Sequence, residues 1–326
     1  MALDRFGRHI HYLRISLTDH CNLRCVYCMP EGMTFKPNSE LMQDDEILTL
    51  VRIFAGLGFN KFRLTGGEPT VRAGIVDLVR EIAQTPGVRS LSMTSNGVMF
   101  SHLAEPLAAA GLQRVNFSLD TLNADKFRRL TSGGDIRDVW DGIFSAEQVG
   151  LNPIKVNAVV VRDFSDEDVV ELARLTLKQA WQVRFIEMMP FAGITEFQQS
   201  EAVTAAEIQS RIETALAPLE SVNGGRLDGE ARLYRLPGGK GVIGFISTLS
   251  KPFCETCTRA RLTADGRLRL CLLRDSEVDV LSPMRAGVSE AELRQIILEG
   301  IWYKPWGNQL SEGIVPRNRV MSEIGG

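Results

Sequence analysis

The 326-residue sequence has no surplus of positive charge: 37 Lys and Arg stand against 40 Asp and Glu, a net charge of −3. That balance gives no reason to expect general nucleic-acid binding, although a small anion could still be gripped locally. No apolar run is long enough to span a membrane. The stretch from Met1 to His20, with Asp4, Arg5, Arg8 and Arg14, lacks the apolar core of a signal peptide. A reducing, cytoplasmic setting is therefore expected. Histidine is scarce, with His9, His11, His20 and His102 the full supply. There is no internal repeat beyond a βα alternation and no low-complexity tract. Neither Gly66–Thr70 nor Gly238–Gly241 has Walker A spacing, so nucleoside triphosphate hydrolysis is a poor expectation.

Cysteine is sparse too, and it carries the most information. All six cysteines fall in two triplets, Cys21, Cys25 and Cys28, then Cys254, Cys257 and Cys271. Disulfides suit an oxidising compartment, which nothing else in the chain suggests. Structural zinc wants four ligands. The second triplet has no nearby imidazole, and His20 abuts Cys21 too closely to reach the same tetrahedral ion well. Each triplet is thus one thiolate short of a closed site. A four-iron cluster is ordinarily held by four cysteines, so one held by three keeps an iron open to a small molecule. Two triplets predict two such centres.

The first two-thirds of the chain supplies a frame. β-rich runs recur at 12–17, 61–65, 90–94, 114–119, 154–161 and 182–187, with helical patterns at 44–57, 75–84, 102–110, 139–149 and 166–180. In 44–57, Ile47, Leu48, Leu50, Val51 and Phe54 keep helical spacing and Gly58 marks the stop. Alternation of this kind predicts parallel strands with right-handed crossovers, most simply an α/β partial (βα)6 TIM-like barrel. Polar, glycine-rich segments follow the strands, and barrels carry their active sites there. The first triplet lies on the loop after the first strand, so it should sit in the barrel mouth. A helix over 204–216, with Thr204 and Glu207 spaced for a capping box, ends this region. The predicted division is 1–216 for the barrel and 217–326 for a C-terminal extension. In the extension an apolar run follows Gly241, and 261–272 reads as a hairpin turning at Asp265-Gly266, flanked by Cys257 and Cys271. Arg267 and Arg269 read as the solvated face of that hairpin.

The run Cys21-Asn-Leu-Arg-Cys25-Val-Tyr-Cys28 after the first strand, with Gly66-Gly-Glu-Pro69 after the second, resembles the radical S-adenosylmethionine superfamily. Asp4-Arg-Phe-Gly-Arg8, Tyr12-Leu-Arg-Ile-Ser16, Met29-Pro-Glu-Gly32, Phe185-Ile-Glu-Met-Met-Pro190, Cys254-x-x-Cys257-Thr-Arg-Ala-Arg261 and the terminal Gly325-Gly326 resemble, within it, the GTP 3′,8-cyclase family of molybdenum cofactor biosynthesis. That resemblance spans essentially the full length.

The resemblance implies two 4Fe–4S clusters, one on each triplet, with S-adenosylmethionine as a consumed co-substrate. Its amino and carboxylate groups would chelate the open iron of the first cluster, and its reductive cleavage would give a 5′-deoxyadenosyl radical. Tyr27, Gly67, Ser118 and Met189 would contact it. Arg14, Arg63, Thr94, Lys155, Arg259, Ala260 and Arg261 would contact GTP, the arginines and lysine through charge-assisted bonds to its phosphates. The second cluster's open iron would face the purine. Catalytic roles would fall to Arg259, Arg261 and a Gly325-Gly326 tail entering the site. The implied reaction abstracts hydrogen from C3′, joins that carbon to C8 of guanine and reduces the result to (8S)-3′,8-cyclo-7,8-dihydroguanosine 5′-triphosphate. An electron donor, a downstream cyclic pyranopterin monophosphate synthase and a homodimer are implied as partners. A peptide-modifying radical enzyme with an auxiliary cluster is one alternative, although such extensions typically carry more cysteines. A non-catalytic metal-stabilised binding module is the other.

Overall fold

The computed structural model describes residues 2–29, 32–191 and 202–325; Gly326 lies outside them. Six parallel strands form the centre: β1 (Tyr12–Ser16), β2 (Lys61–Thr65), β3 (Ser90–Ser95), β4 (Arg114–Ser118), β5 (Lys155–Val160) and β6 (Gln182–Glu187). Helices α1 (Asp44–Gly56), α2 (Ile75–Gln84), α3 (Phe100–Ala109), α4 (Ala124–Leu130), α5 (Ile136–Gln148) and α6 (Val169–Lys178) provide the crossovers. Side chains alternate across a strand, and this pattern organises the molecule. Leu13, Ile15, Phe62, Leu64, Leu91, Met93, Val115, Phe117, Val156, Val183 and Phe185 join the main hydrophobic core. Their neighbours one residue away, Arg14, Arg63, Thr94, Asn116, Ser118, Lys155, Asn157 and Arg184, therefore share the opposite face.

The remaining chain widens this sheet at both edges. After α7 (Ala205–Ala215) come β7 (Glu220–Ser221), β8 (Leu227–Asp228), β9 (Ala231–Arg235), β10 (Val242–Ile246), β11 (Arg259–Leu262), β12 (Arg267–Arg269) and β13 (Glu277–Asp279). Strand β10 lies parallel to β6, while β11 lies parallel to β1, with Arg261 beside Arg14. The order is β13-β12-β11-β1-β2-β3-β4-β5-β6-β10-β9-β7, with β8 on β9. The sheet is mixed and open. Helices α8 (Leu281–Arg285), α9 (Glu290–Trp302) and α10 (Met321–Ile324) complete the chain.

The six predicted strands and six predicted helices are present, within three residues at each boundary. The hairpin at Asp265-Gly266 is also present, with Arg261 opposite Arg269 and Gly266 at φ +68°. Two readings need correction. Arg269 is fully buried, not solvated: it bonds Glu277 at 2.6 Å and the carbonyl of Arg274. Thr204 caps α7 by accepting from the Glu207 amide at 3.2 Å, but the Glu207 carboxylate turns to Arg162 and Arg211, so the reciprocal half of the box is missing. Helix α4 escaped prediction because a helix of seven residues burying only Phe127 and Leu130 has too short a period to read.

Candidate active site

The polar face of the sheet opens on a cavity of about 300 Å³ whose wall includes all six cysteines. Cysteines separated by more than two hundred residues meet there because β11 pairs with β1, which carries the chain into the first triplet.

The first triplet is held by backbone contacts from its neighbours. The amides of Arg24 and Val26 donate to the carbonyls of Thr131 and Leu130, both at 3.0 Å, so the unpredicted α4 is the shelf under this loop. The amide of Leu23 lies 3.4 Å from the Cys21 sulfur, and the Asn96 side chain 3.7 Å from it. The glycine loop after β2 packs flat against the same turn. The Gly67 amide donates to the Thr18 carbonyl at 2.7 Å, and a Cβ on Gly67 would collide with the carbonyls of His20 and Asp19. Glu68, buried, accepts from Thr70, Ser95 and the Asn96 amide, the last at 2.6 Å, which ties this loop to the end of β3. Tyr27 donates to Asp120 at 2.6 Å, and Asp120 also accepts from the Val159 amide at 2.8 Å. Burial pushes the Asp120 carboxyl up to about 6 against the pull of those bonds, and pushes the Cys28 thiol up to about 12.

Deeper in the mouth the inner face is strongly cationic. Arg63 donates to the Tyr12 hydroxyl at 2.6 Å and to Thr94 at 3.2 Å. Arg14 and Arg259 both pair with one carboxylate, Glu230, at the tight turn between β8 and β9. Burial alone would raise the Glu230 carboxyl. Arg14 and Arg259, with Arg63 and Arg184 beyond them, outweigh that and hold it well below the usual carboxylate range. Arg184 meets Asp228 at 2.9 Å, and the Lys155 ammonium lies 3.5 Å from the same carboxylate. Burial first, then the nearby Arg184, lowers Lys155 to about 8. Tyr12, although buried, falls to about 7 because Arg63 and Arg14 favour its phenolate. Arg261 has no ion pair among the described residues, and its guanidinium donates to the carbonyl of Gly325. A Cβ on Gly325 would collide with Thr65 and come within 3.0 Å of Ser16, so the tail is seated at the ends of β1 and β2.

Around the second triplet, Cys254 opens a short turn, Cys257 precedes β11 and Cys271 follows β12. Burial would raise the Cys257 thiol, but Lys304 and Arg259 beside it lower it to about 7. Gly307 packs against Cys254, with no more than 3.0 Å to the sulfur from where a Cβ would stand.

Of the sequence-predicted residues, Arg14, Tyr27, Gly67, Thr94, Ser118, Met189, Arg259, Arg261 and all six cysteines line the cavity. Arg63 and Lys155 stand behind it on the cationic face, Lys155 with only 12% of its side chain exposed, and Ala260 is buried with its side chain in the core. Gly325 touches Arg261. Sequence reasoning missed Tyr12, Glu68, Asp120, Arg184, Asp228 and Glu230. Arg184 had a signal, since it holds the same alternation phase on β6 as Arg14 and Arg63 hold on theirs.

The residues fit the absent groups. All six thiols are free, and they border open space in the same cavity. Among the described residues no three His, Cys, Asp or Glu side chains converge on a point as around one metal ion. Among the described residues the buried Oδ1 atoms of Asn116 and Asn157 have no hydrogen-bond partner although both residues line the cavity, as expected where a polar ligand completes the site.

Comparison with known proteins agrees with this geometry. Residues 15–176 match the family model of the radical SAM superfamily, and residues 181–310 match that of Molybdenum Cofactor Synthesis C. Proteins called GTP 3′,8-cyclase from Moorella thermoacetica and Pelotomaculum thermopropionicum are 45% and 44% identical, over 99% of this chain and 99% of theirs. Among solved structures, Streptococcus suis SuiB bound to S-adenosylmethionine superposes with a TM-score of 0.60 at 15% identity, covering 88% of this chain and 68% of that one. At that identity the likeness speaks for the fold alone.

Proposed function

The chain belongs to the GTP 3′,8-cyclase family of radical S-adenosylmethionine enzymes, and we propose that it cyclises GTP in molybdenum cofactor biosynthesis. The observation that carries this reading is one cavity lined by both cysteine triplets together with Arg14, Arg259 and Arg261. The first triplet holds a 4Fe–4S cluster and the second an auxiliary one. When bound, the first supplies the electron that turns S-adenosylmethionine into a source of the 5′-deoxyadenosyl radical.

Everything else falls to the chain's own side chains. Gly67, whose lack of a Cβ lets its loop close on the carbonyls of Asp19 and His20, lines the cavity with Tyr27, Ser118 and Met189, and these four contact S-adenosylmethionine. Arg14, Arg63, Lys155, Arg184, Arg259 and Arg261 outnumber Asp228 and Glu230, so the cationic face has positive charge left for a triphosphate. Thr94, beside Arg63, contacts the nucleotide there, and Ala260 contributes backbone alone. Arg261 donates to the carbonyl of Gly325 and so holds the tail against the ends of β1 and β2. Residues 1–216 thus carry the radical-generating half and 217–326 the auxiliary half.

We further propose a homodimer in the cytoplasm, fed by an electron donor and delivering its product to a cyclic pyranopterin monophosphate synthase. The reaction is tested with anaerobically reconstituted protein, S-adenosylmethionine, reductant and GTP deuterated at C3′. Deuterium in the 5′-deoxyadenosine, with a cyclised nucleotide that has exchanged it for a solvent proton and so matches unlabelled GTP in mass, is the expected result. Unlabelled 5′-deoxyadenosine would remove GTP as the substrate, and none at all with intact clusters would remove the radical chemistry.

A further inference from the structure

Lys304 is 2% exposed, and its ammonium donates to two backbone carbonyls, Arg259 at 2.9 Å and Leu270. Arg259 lies two residues after Cys257, and Leu270 immediately precedes Cys271. The β11–β12 ladder pairs Arg261 with Arg269, and continuing that register would set residue 260 opposite 270. Lys304 therefore stands where the ladder stops and bridges its open end, between the two segments that lead to the thiols.

A buried ammonium needs a counter-ion, because leaving a charge unpaired in the interior is far costlier than burying a neutral group. Among the described residues Lys304 forms no salt bridge. The charged groups facing it are Arg8 and Arg259, both of like sign, and the thiols of Cys257 and Cys271. Arg8 has its own carboxylate, Asp4, at 2.6 Å, and spends its remaining donors on the carbonyls of Cys254, Pro305 and Trp306. What would balance Lys304 is negative charge on the second triplet.

We propose that Lys304 is the positioning residue of the auxiliary centre: it spaces Cys257 from Cys271 and is the resident counter-cation of the cluster they hold. This rests on the two-cluster reading above. A fixed positive charge beside a cluster stabilises its more reduced, more negative state and so raises its potential.

The test uses the full chain with Cys21, Cys25 and Cys28 changed to Ala, which leaves one triplet, reconstituted anaerobically with iron and sulfide. Lys304 is compared with Lys304→Gln, which keeps two donors without charge, and with Lys304→Met, which keeps neither. The readouts are iron per chain, circular dichroism and the midpoint potential from EPR-monitored titration. Lys304→Gln should hold its cluster with a reduced-to-oxidised ratio at least tenfold lower at a fixed poise, about 59 mV for one electron. Lys304→Met should lose iron while remaining folded. If both variants hold full iron at the unaltered potential, Lys304 has no such role. If the parent with Lys304 intact holds no iron, the two-cluster reading falls and the inference falls with it.

Discussion

Glu230 stands where a triphosphate anion would be most stable, so Glu230→Gln should tighten GTP binding. The carboxylate is 13% exposed and takes the guanidiniums of both Arg14 and Arg259, themselves 12% and 14% exposed. Glutamine keeps the shape and one acceptor oxygen but removes the charge. Charge-assisted bonds are roughly twice as strong as neutral ones, and removing one partner of a buried pair outright costs about 3–5 kcal/mol. Retaining the acceptor brings the loss to about 2 kcal/mol for the nucleotide-free protein. Phosphate oxygens that reach the same arginines displace Glu230, so the bound state loses little. The affinity should then rise about 30-fold, since 1.4 kcal/mol is a factor of ten. The free protein should melt lower by about 4 °C, at about 2 °C per kcal/mol for a chain of this size. Calorimetric titration of the cluster-loaded variant with GTP, together with melting curves with and without nucleotide, reads both numbers. Weaker or unchanged GTP binding would refute the displacement and make Glu230 a fixed brace for the arginines instead.

Three further outcomes follow from the same geometry. Lys155 has its pKa depressed from the ordinary lysine range to about 8 by burial and Arg184; its protonated form therefore costs the free fold stability below pH 8, and that cost is relieved as pH rises toward the unfolded value. A nearby phosphate favours the ammonium, so GTP affinity should be full below pH 8 and fall as pH rises through it. Lys155→Arg, always charged, should flatten that fall, leaving only what Tyr12 contributes; calorimetry between pH 7 and 9 compares the two, and an unaltered slope would contradict the assignment. Gly67→Ala adds a Cβ where backbone carbonyls of Asp19 and His20 already stand, and it should abolish S-adenosylmethionine cleavage while the second cluster's iron remains, measured as 5′-deoxyadenosine and iron per chain. Deleting Gly325 and Gly326 should abolish cyclisation with both clusters retained, and full activity of the truncated chain would sink the role of the tail.

The parallel strands were legible because their two faces differ so sharply. Leu13 and Ile15 flank Arg14, and Phe62 and Leu64 flank Arg63, which is strand periodicity written in charge. Both cysteine triplets were legible as spacing, and the first could be placed because loops after barrel strands line the mouth. Helix α9 carried a readable signal that went unused, Ser289 and Glu292 in a reciprocal capping box ahead of Leu293, Ile297 and Ile301. Glu230 and Asp228 carried none. A Gly229 at φ +66° turns two acidic residues toward arginines far away in sequence, and only the β10–β9–β8 pairing brings them there. Lys304 was equally silent, since a lysine before proline in an aromatic-rich turn looks like a surface residue until the hairpin closes over it.

The illegible residues share a physical origin. Positions on the six central strands answer to local alternation, so their roles follow from phase. Residues supplied by the extension answer to long-range pairing, and the extension joins the sheet at both edges, through β10 on β6 and β11 on β1. One consequence is that the anionic turn at Asp228–Glu230 and the arginines of β11 approach the same cationic face from opposite edges of one sheet. A perturbation at either edge is then felt at the other through Glu230, which touches Arg14 on β1 and Arg259 on β11 at once. Glu230→Gln and Arg259→Lys should accordingly be non-additive in GTP affinity, since they share a partner. Independent effects in that double-mutant cycle would mean that Glu230 and Arg259 act on GTP separately despite their contact in the free protein.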